Sequence, residues 1–116
     1  MTVARRVAGG VVVLNLSGRM TGLDAPGAMK EQVKLALSAG HRRIVLNLSQ
    51  LSYVDSAFIG ELVACCMAAA RVGGTLKMAC AARRVQEVFV ITRLGTIFEW
   101  FESETAAVDS FLKADN

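Results

Sequence analysis

The chain has 116 residues, 53% of them apolar and 20% charged, with ten glycines and one proline, which fits a single domain over 1–116 and argues against a multidomain enzyme. Its longest stretch without a formal charge, Val7 to Gly18, is twelve residues broken by Gly9, Gly10, Asn15 and Ser17, short of the ~18 to 20 apolar residues a membrane span requires. The net charge of +3 includes arginines in the separate pairs Arg5-Arg6, Arg42-Arg43 and Arg83-Arg84; without a contiguous basic face or stacking aromatics these read as solvated pairs, not a nucleic-acid surface.

Val3 to Val7 and Val11 to Ser17 are β-rich runs joined by Ala8-Gly9-Gly10, the spacing of an antiparallel hairpin with glycine taking the positive φ angles. Asp24 before Ala25-Pro26 is a helix cap with proline in the first turn, and Met29, Val33, Ala36 and Leu37 make one stripe that stops at Gly40. Arg43 to Leu48 is a nearly continuous apolar run, the pattern of a central strand, and Ser49 to Tyr53 reads as a polar loop. From Asp55-Ser56 a second helix follows, with Ile59, Leu62, Val63, Cys66 and Ala70 on its inner stripe and Gly73-Gly74 as its stop. Thr75 to Cys80 is a strand, Arg83 to Arg93 a helix with Val85, Val88, Phe89 and Thr92 inside, and Ile97 to Phe101 a short strand. Ser103 caps a last helix whose stripe is Ala106, Ala107, Phe111 and Leu112, with Glu104 at the positive end of its dipole. The order β-β-α-β-α-β-α-β-α implies an α/β fold with a mixed sheet and right-handed parallel crossovers.

Little in the chain points to catalysis. The one histidine, His41, stands between Gly40 and Arg42 where a strand begins, and no G-x-S-x-G elbow, H-E-x-x-H, Walker loop or G-x-G-x-x-G occurs. Three cysteines, Cys65, Cys66 and Cys80, with the first two adjacent, suit neither a zinc site nor a disulfide framework. The expectation is a non-enzymatic cytoplasmic protein without cofactor or metal.

The informative segment is Leu51-Ser52-Tyr53-Val54-Asp55-Ser56-Ala57-Phe58-Ile59-Gly60, which puts a serine hydroxyl where a strand exit meets a helix N-terminus. Asp55 or Ser56 can simply be the helix cap. A hydroxyl there is also accessible, and a phosphate added to it would meet free backbone donors and the positive dipole end. Along the same helix Ala57, Gly60, Glu61, Ala64, Ala68 and Arg71 form a second, small-residue face flanked by Phe58 and Met67.

These segments resemble the bacterial anti-sigma-factor antagonists built on the STAS domain. Val45-Leu46-Asn47-Leu48 with Leu51 to Ser56 is similar to that family's central strand and its D-S-[ST]-G-[LI]-G phosphorylation loop, and Gly73-Gly74-Thr75-Leu76, Val85 to Phe89 and Leu94-Gly95 resemble later landmarks. The resemblance implies a single STAS domain with a mixed four- to five-stranded sheet and about four helices mainly on one face, and a partner switch with no direct nucleic-acid contact and no membrane insertion. In that switch the unmodified protein binds an anti-sigma factor that is also a serine kinase, phosphorylation releases it, and a phosphatase resets it. By the same resemblance Ser56 is the phosphoacceptor, and Asp55, Ser56, Ala57, Phe58, Gly60, Glu61 and Ala64 form the partner surface. The chain departs from the pattern at Ala57, where a second hydroxyl is usual; at Phe58, which replaces a glycine and is expected on the docking surface; and at Gly18-Arg19-Met20-Thr21, in place of G-E-[IL]-D. The competing reading is an accessory STAS domain docking on a transporter ATPase or signalling complex, with Ser56 only a cap.

Overall fold

The computed structural model describes residues 2–20, 27–91 and 98–114. Its elements are β1 (Thr2–Ala8), β2 (Val11–Met20), α1 (Ala28–Ser38), β3 (Arg43–Val54), α2 (Ser56–Arg71), β4 (Thr75–Ala79), α3 (Arg83–Ile91), β5 (Trp100–Phe101) and α4 (Glu104–Ala114). The sheet runs β1-β2-β3-β4-β5, with β1 antiparallel to β2 and every other pairing parallel. Gly9 and Gly10, at φ 58 and 79, close the hairpin with both central residues left-handed, the geometry a two-residue turn needs.

Because strand side chains alternate, the apolar run of each central strand serves both faces of the sheet. Val12, Leu14, Leu16, Ile44, Leu46 and Leu48 pack with α1, α2 and α3, whereas Val11, Val13, Val45 and Ala79 meet Ala107 and Phe111 of α4. Three helices therefore cover one face and one covers the other.

Polar contacts join the apolar ones on the α4 side. Arg6 pairs with Glu104, which also accepts from Asn47 Nδ2 at 3.0 Å. Lys77, only 7% exposed, donates to Ser110 Oγ at 2.7 Å, lies 3.3 Å from Glu99 and sits 4.2 Å from the centre of the Phe111 ring. On the other face Phe89 meets Phe98 and Trp100 edge to face, at 5.5 and 4.9 Å between centroids, which fastens α3 to β5.

Four expectations change. Ser49 to Tyr53 is strand, not loop: β3 continues to Val54 against β2 across two register shifts, which break the alternation that marks a strand in sequence. Helix α1 starts at Ala28 with Gly27 (φ 81) in the cap position, while Asp24 and Pro26 lie outside the described residues. In α2 the buried positions are Phe58, Ile59, Leu62, Cys65 and Ala69, so the stripe is turned relative to the expected Val63, Cys66 and Ala70. In α4 Ser103 Oγ does accept from the Ala106 amide at 3.1 Å, but Ala106 and Leu112 are exposed and only Ala107 and Phe111 are buried. Thr92, Arg93 and Ile97, expected in flanking elements, lie outside the described residues, as do Leu94 and Gly95.

Two measurements test this packing. Phe89→Ala should lower the free energy of unfolding in urea by about 3–5 kcal/mol, the usual cost of deleting a buried aromatic ring; a loss under about 1 kcal/mol would show that the aromatic cluster does not hold α3. Burial alone would raise the pKa of Glu104, but hydrogen bonds from Arg6 and Asn47 and the Arg6 charge outweigh it and hold the carboxyl below its ordinary value. A depressed folded pKa adds stability above the unfolded value of ~4.3 that is lost as pH falls through the folded one. Glu104→Gln should therefore flatten the loss of stability below about pH 4, and an unchanged pH slope would show that the carboxylate contributes nothing to docking α4.

Candidate functional site

The site is built at the junction of β3 and α2. Val54, buried, ends the strand, and Asp55 follows in extended conformation (φ −121, ψ 179). From there the Asp55 carboxylate turns back over the helix, and Oδ1 accepts from the Phe58 amide at 2.9 Å while its carbonyl accepts from Ile59 at 3.2 Å. Asp55 is thus the cap, and Ser56 is the first helical residue, exposed and left out of the capping. The amides of Ser56 and Ala57 belong to the first turn, where no carbonyl of the helix can reach them. A hydroxyl, two outward amides and the positive end of a sixteen-residue helix meet at one exposed point.

Phe58 is not on the surface. Only 3% exposed, its ring enters the main core with Ile59 and Leu62, so an aromatic anchor replaces the glycine of the antagonist pattern and pins the first turn of α2 to the sheet. Ala57 and Gly60 are exposed and Ala64 is half-buried, and around Gly60 a Cβ would meet nothing within 4 Å. Met67, 55% exposed, continues the outer face.

Glu61 points inward to α1. Its Oε1 accepts from the Lys30 amide at 3.0 Å, in the first turn of a helix whose own cap residue, Gly27, has no side chain to offer. No local pattern in the sequence could reveal this, because donor and acceptor are thirty-one residues apart.

A second unforeseen pair borders the junction. Arg19 and Tyr53 are cross-strand partners at the ends of β2 and β3, with the guanidinium 5.3 Å from the ring centre. Gly18 before it is left-handed (φ 88) at a register shift, and Met20 after it is buried opposite Val54. Thr21, the remaining position of that divergent motif, lies outside the described residues.

His41 precedes β3 and Ser56 follows it, so a twelve-residue strand at about 3.3 Å per residue separates the two and Ser56 cannot pair with His41. Burial is the main cause that pushes the thiols of Cys65 and Cys66 up to about 12 and about 11, which keeps both protonated and unreactive at neutral pH. Among the described residues no three His, Cys, Asp or Glu side chains gather where they could hold a metal, and no helix is long and apolar enough to cross a membrane.

A family model described as "Mlab, STAS domain" matches residues 3–99. Among solved structures the chain is similar to a Thermotoga maritima protein described as a candidate anti-sigma factor antagonist, with TM-score 0.84 and 21% identity over 93% of this chain and 92% of that one. It is similar to the anti-sigma factor antagonist SpoIIAA in its unphosphorylated form (TM-score 0.77, 22% identity, 97% of each chain). The phosphorylated form of SpoIIAA, described as a Bacillus cell fate determinant, gives 0.72 and 21% over 95% of this chain and 99% of that one. A sulfate transporter family protein from Wolinella succinogenes shares the fold at TM-score 0.73 and 13% identity, over 96% of this chain and 93% of that one. No curated protein sequence matches it significantly. At these identities the solved structures speak for the fold, and the family model, covering most of the sequence, speaks for descent: the chain belongs to the STAS domain family.

Proposed function

We propose that the protein is a partner-switching regulator of the anti-sigma-antagonist kind. Unmodified, it binds a kinase-type anti-sigma factor in the cytoplasm through the start of α2; phosphorylation of Ser56 by that partner releases it, and a phosphatase restores it. The observation that carries this reading is the division of labour at the junction: Asp55 caps the helix, so the exposed Ser56 hydroxyl is free for chemistry. Phosphoserine brings a charge of about −1.5 to −2, and the dipole and first-turn amides favour an anion there by up to ~2 kcal/mol. The Asp55 carboxylate next to it opposes that gain. With Phe58 buried beneath the turn, the modified helix keeps its anchor, and the phosphate acts on the partner by bulk and charge. That SpoIIAA occurs with this fold in both phosphorylated and unphosphorylated forms supports the reading.

A second reading is an accessory STAS domain docking on a transporter ATPase or a signalling complex. It is favoured by the transporter-family neighbour and by Ala57 in place of a second hydroxyl. Intact-mass analysis of protein from its native host separates the two, since a phosphate mapped to Ser56 supports the switch and its consistent absence the accessory role.

With the cognate kinase, one phosphate should be added to the wild type and none to Ser56→Ala; transfer that persists in the variant, at Ser52 or Ser49, would overturn the assignment. Asp55→Ala should cost about 0.5–2 kcal/mol of stability in urea denaturation, as loss of a helix cap does, and still accept phosphate at Ser56. Ser56→Asp should weaken partner binding in calorimetry by less than the phosphate does, having one charge and less volume. Equal affinity of wild type, Ser56→Asp and phosphoprotein for a demonstrated partner would remove α2's first turn from the interface.

A further inference from the structure

Helices α1 and α2 leave between them a groove of about 130 Å³, with Val33, Leu37, Ala64 and Ala68 among its walls and Lys30 and Lys34 on its rim. We propose that this groove seats an acidic amphipathic helix of the partner protein, with its apolar stripe against the groove walls and its carboxylates against the two lysines. The proposal rests on the reading that α2 is the docking helix and adds the chemistry of what docks there.

The volume has room for one or two aliphatic side chains. On the α2 side the wall is alanine, which lets another backbone come close, and helix-in-groove recognition uses apolar anchors spaced at i, i+3 and i+4. Charge decides the sign of the partner. Lys30 and Lys34 are both exposed and stand four residues apart on one face of α1, where like charges destabilise a helix slightly. Among the described residues neither ammonium is paired with a carboxylate. The Glu61 carboxylate is turned to the Lys30 amide, and Glu31 does not line the groove. A basic or neutral helix laid here would desolvate two unpaired cations, whereas an acidic one would pair them.

Among the described residues no helix of a second copy is both net acidic and lined with exposed apolar residues. Helix α4 carries Glu104 and Asp109 but buries Ala107 and Phe111 against the sheet, and the exposed Val90 and Ile91 of α3 share their helix with Arg83 and Arg84. The groove and the proposed modification site lie along one ridge of α2. Ser56, Gly60, Ala64 and Ala68 follow at intervals of four, a ridge that winds from the first turn of α2 to the groove wall. A phosphate at its head, about 12 Å along α2 from Ala64, would act only on the part of the partner that continues from the groove over the first turns.

The test uses the full ¹⁵N-labelled chain and two synthetic 18-residue amphipathic helices with one leucine stripe, the first with glutamate on its other positions and the second with lysine. The glutamate peptide should shift the amide resonances of Lys30 to Leu37 and Ala64 to Ala68, the lysine peptide should not, and Lys30→Glu with Lys34→Glu should weaken the glutamate peptide at least tenfold. Since both lysines are exposed, the double variant keeps the wild-type spectrum elsewhere, which the same experiment reads. No shift with the glutamate peptide, equal shifts with both peptides, or shifts on another face would each overturn the proposal. So would shifts at the groove that depend on protein concentration alone, which would make a second copy the occupant. No kinase enters the titration, so failure here leaves the Ser56 assignment standing, and failure of phosphorylation leaves the groove standing.

Discussion

Phe58 holds the first turn of α2 twice over. Its amide is bound by the Asp55 carboxylate and its ring is buried in the core. A cap contributes on the order of 1 kcal/mol and a buried aromatic side chain about 1.5–3 kcal/mol, so the turn is fixed where helices usually fray. The position of Ser56 follows directly, since a residue two places before a buried anchor and one after a cap has little choice of direction. So does the rotation of the helix. With Phe58 inside, Leu62, Cys65 and Ala69 follow it at i+4, i+7 and i+11, and Gly60 and Met67 are left outside.

That rotation also shows where the sequence was legible and where it was not. The Gly9-Gly10 hairpin, the element order, the central apolar strand, the Asp55 junction and the Ser103 cap are local signals, and each appears in the structure as read. The phase of α2 is not local. Val63, Cys66 and Ala70 are as apolar as Cys65 and Ala69, so an α-helical period fits two stripes, and only the burial of Phe58 selects one. Phe58 itself was misplaced because a family pattern with glycine there suggests an open surface, while the physics of an aromatic side chain beside Ile59 favours the core. The second half of β3 escaped for a different reason. Its register shifts against β2 disrupt the period of two, and pairing across a bulge leaves no trace in one strand's own composition.

The two faces of the sheet are held by different forces. Under α1, α2 and α3 the contacts are almost wholly apolar, whereas α4 is located by Arg6, Asn47 and Lys77 as much as by Ala107 and Phe111. A buried lysine is expensive unless its charge is met, and Lys77 is met by Ser110, by Glu99 and by the faces of Phe101 and Phe111. Directional contacts of this kind fix how α4 sits on the sheet. Glu61 does the same on the other side, where its bond to the Lys30 amide ties α2 to α1.

This tie bears on how far a charge at Ser56 can act. Along α2 the eight residues from Ser56 to Ala64 advance about 12 Å at 1.5 Å per residue, more than the ~8 Å over which physiological salt screens exposed charges. A phosphate would therefore act weakly, through solvent, on contacts made at Ala64, and strongly on whatever lies over the first two turns. Nor can the helix carry the signal by shifting, because Phe58 anchors one end and Glu61 locks the next turn to α1. A switch at this junction has to work by touch: the partner must cover Ser56 itself, and a partner confined to the groove beyond Ala64 would be nearly blind to the modification.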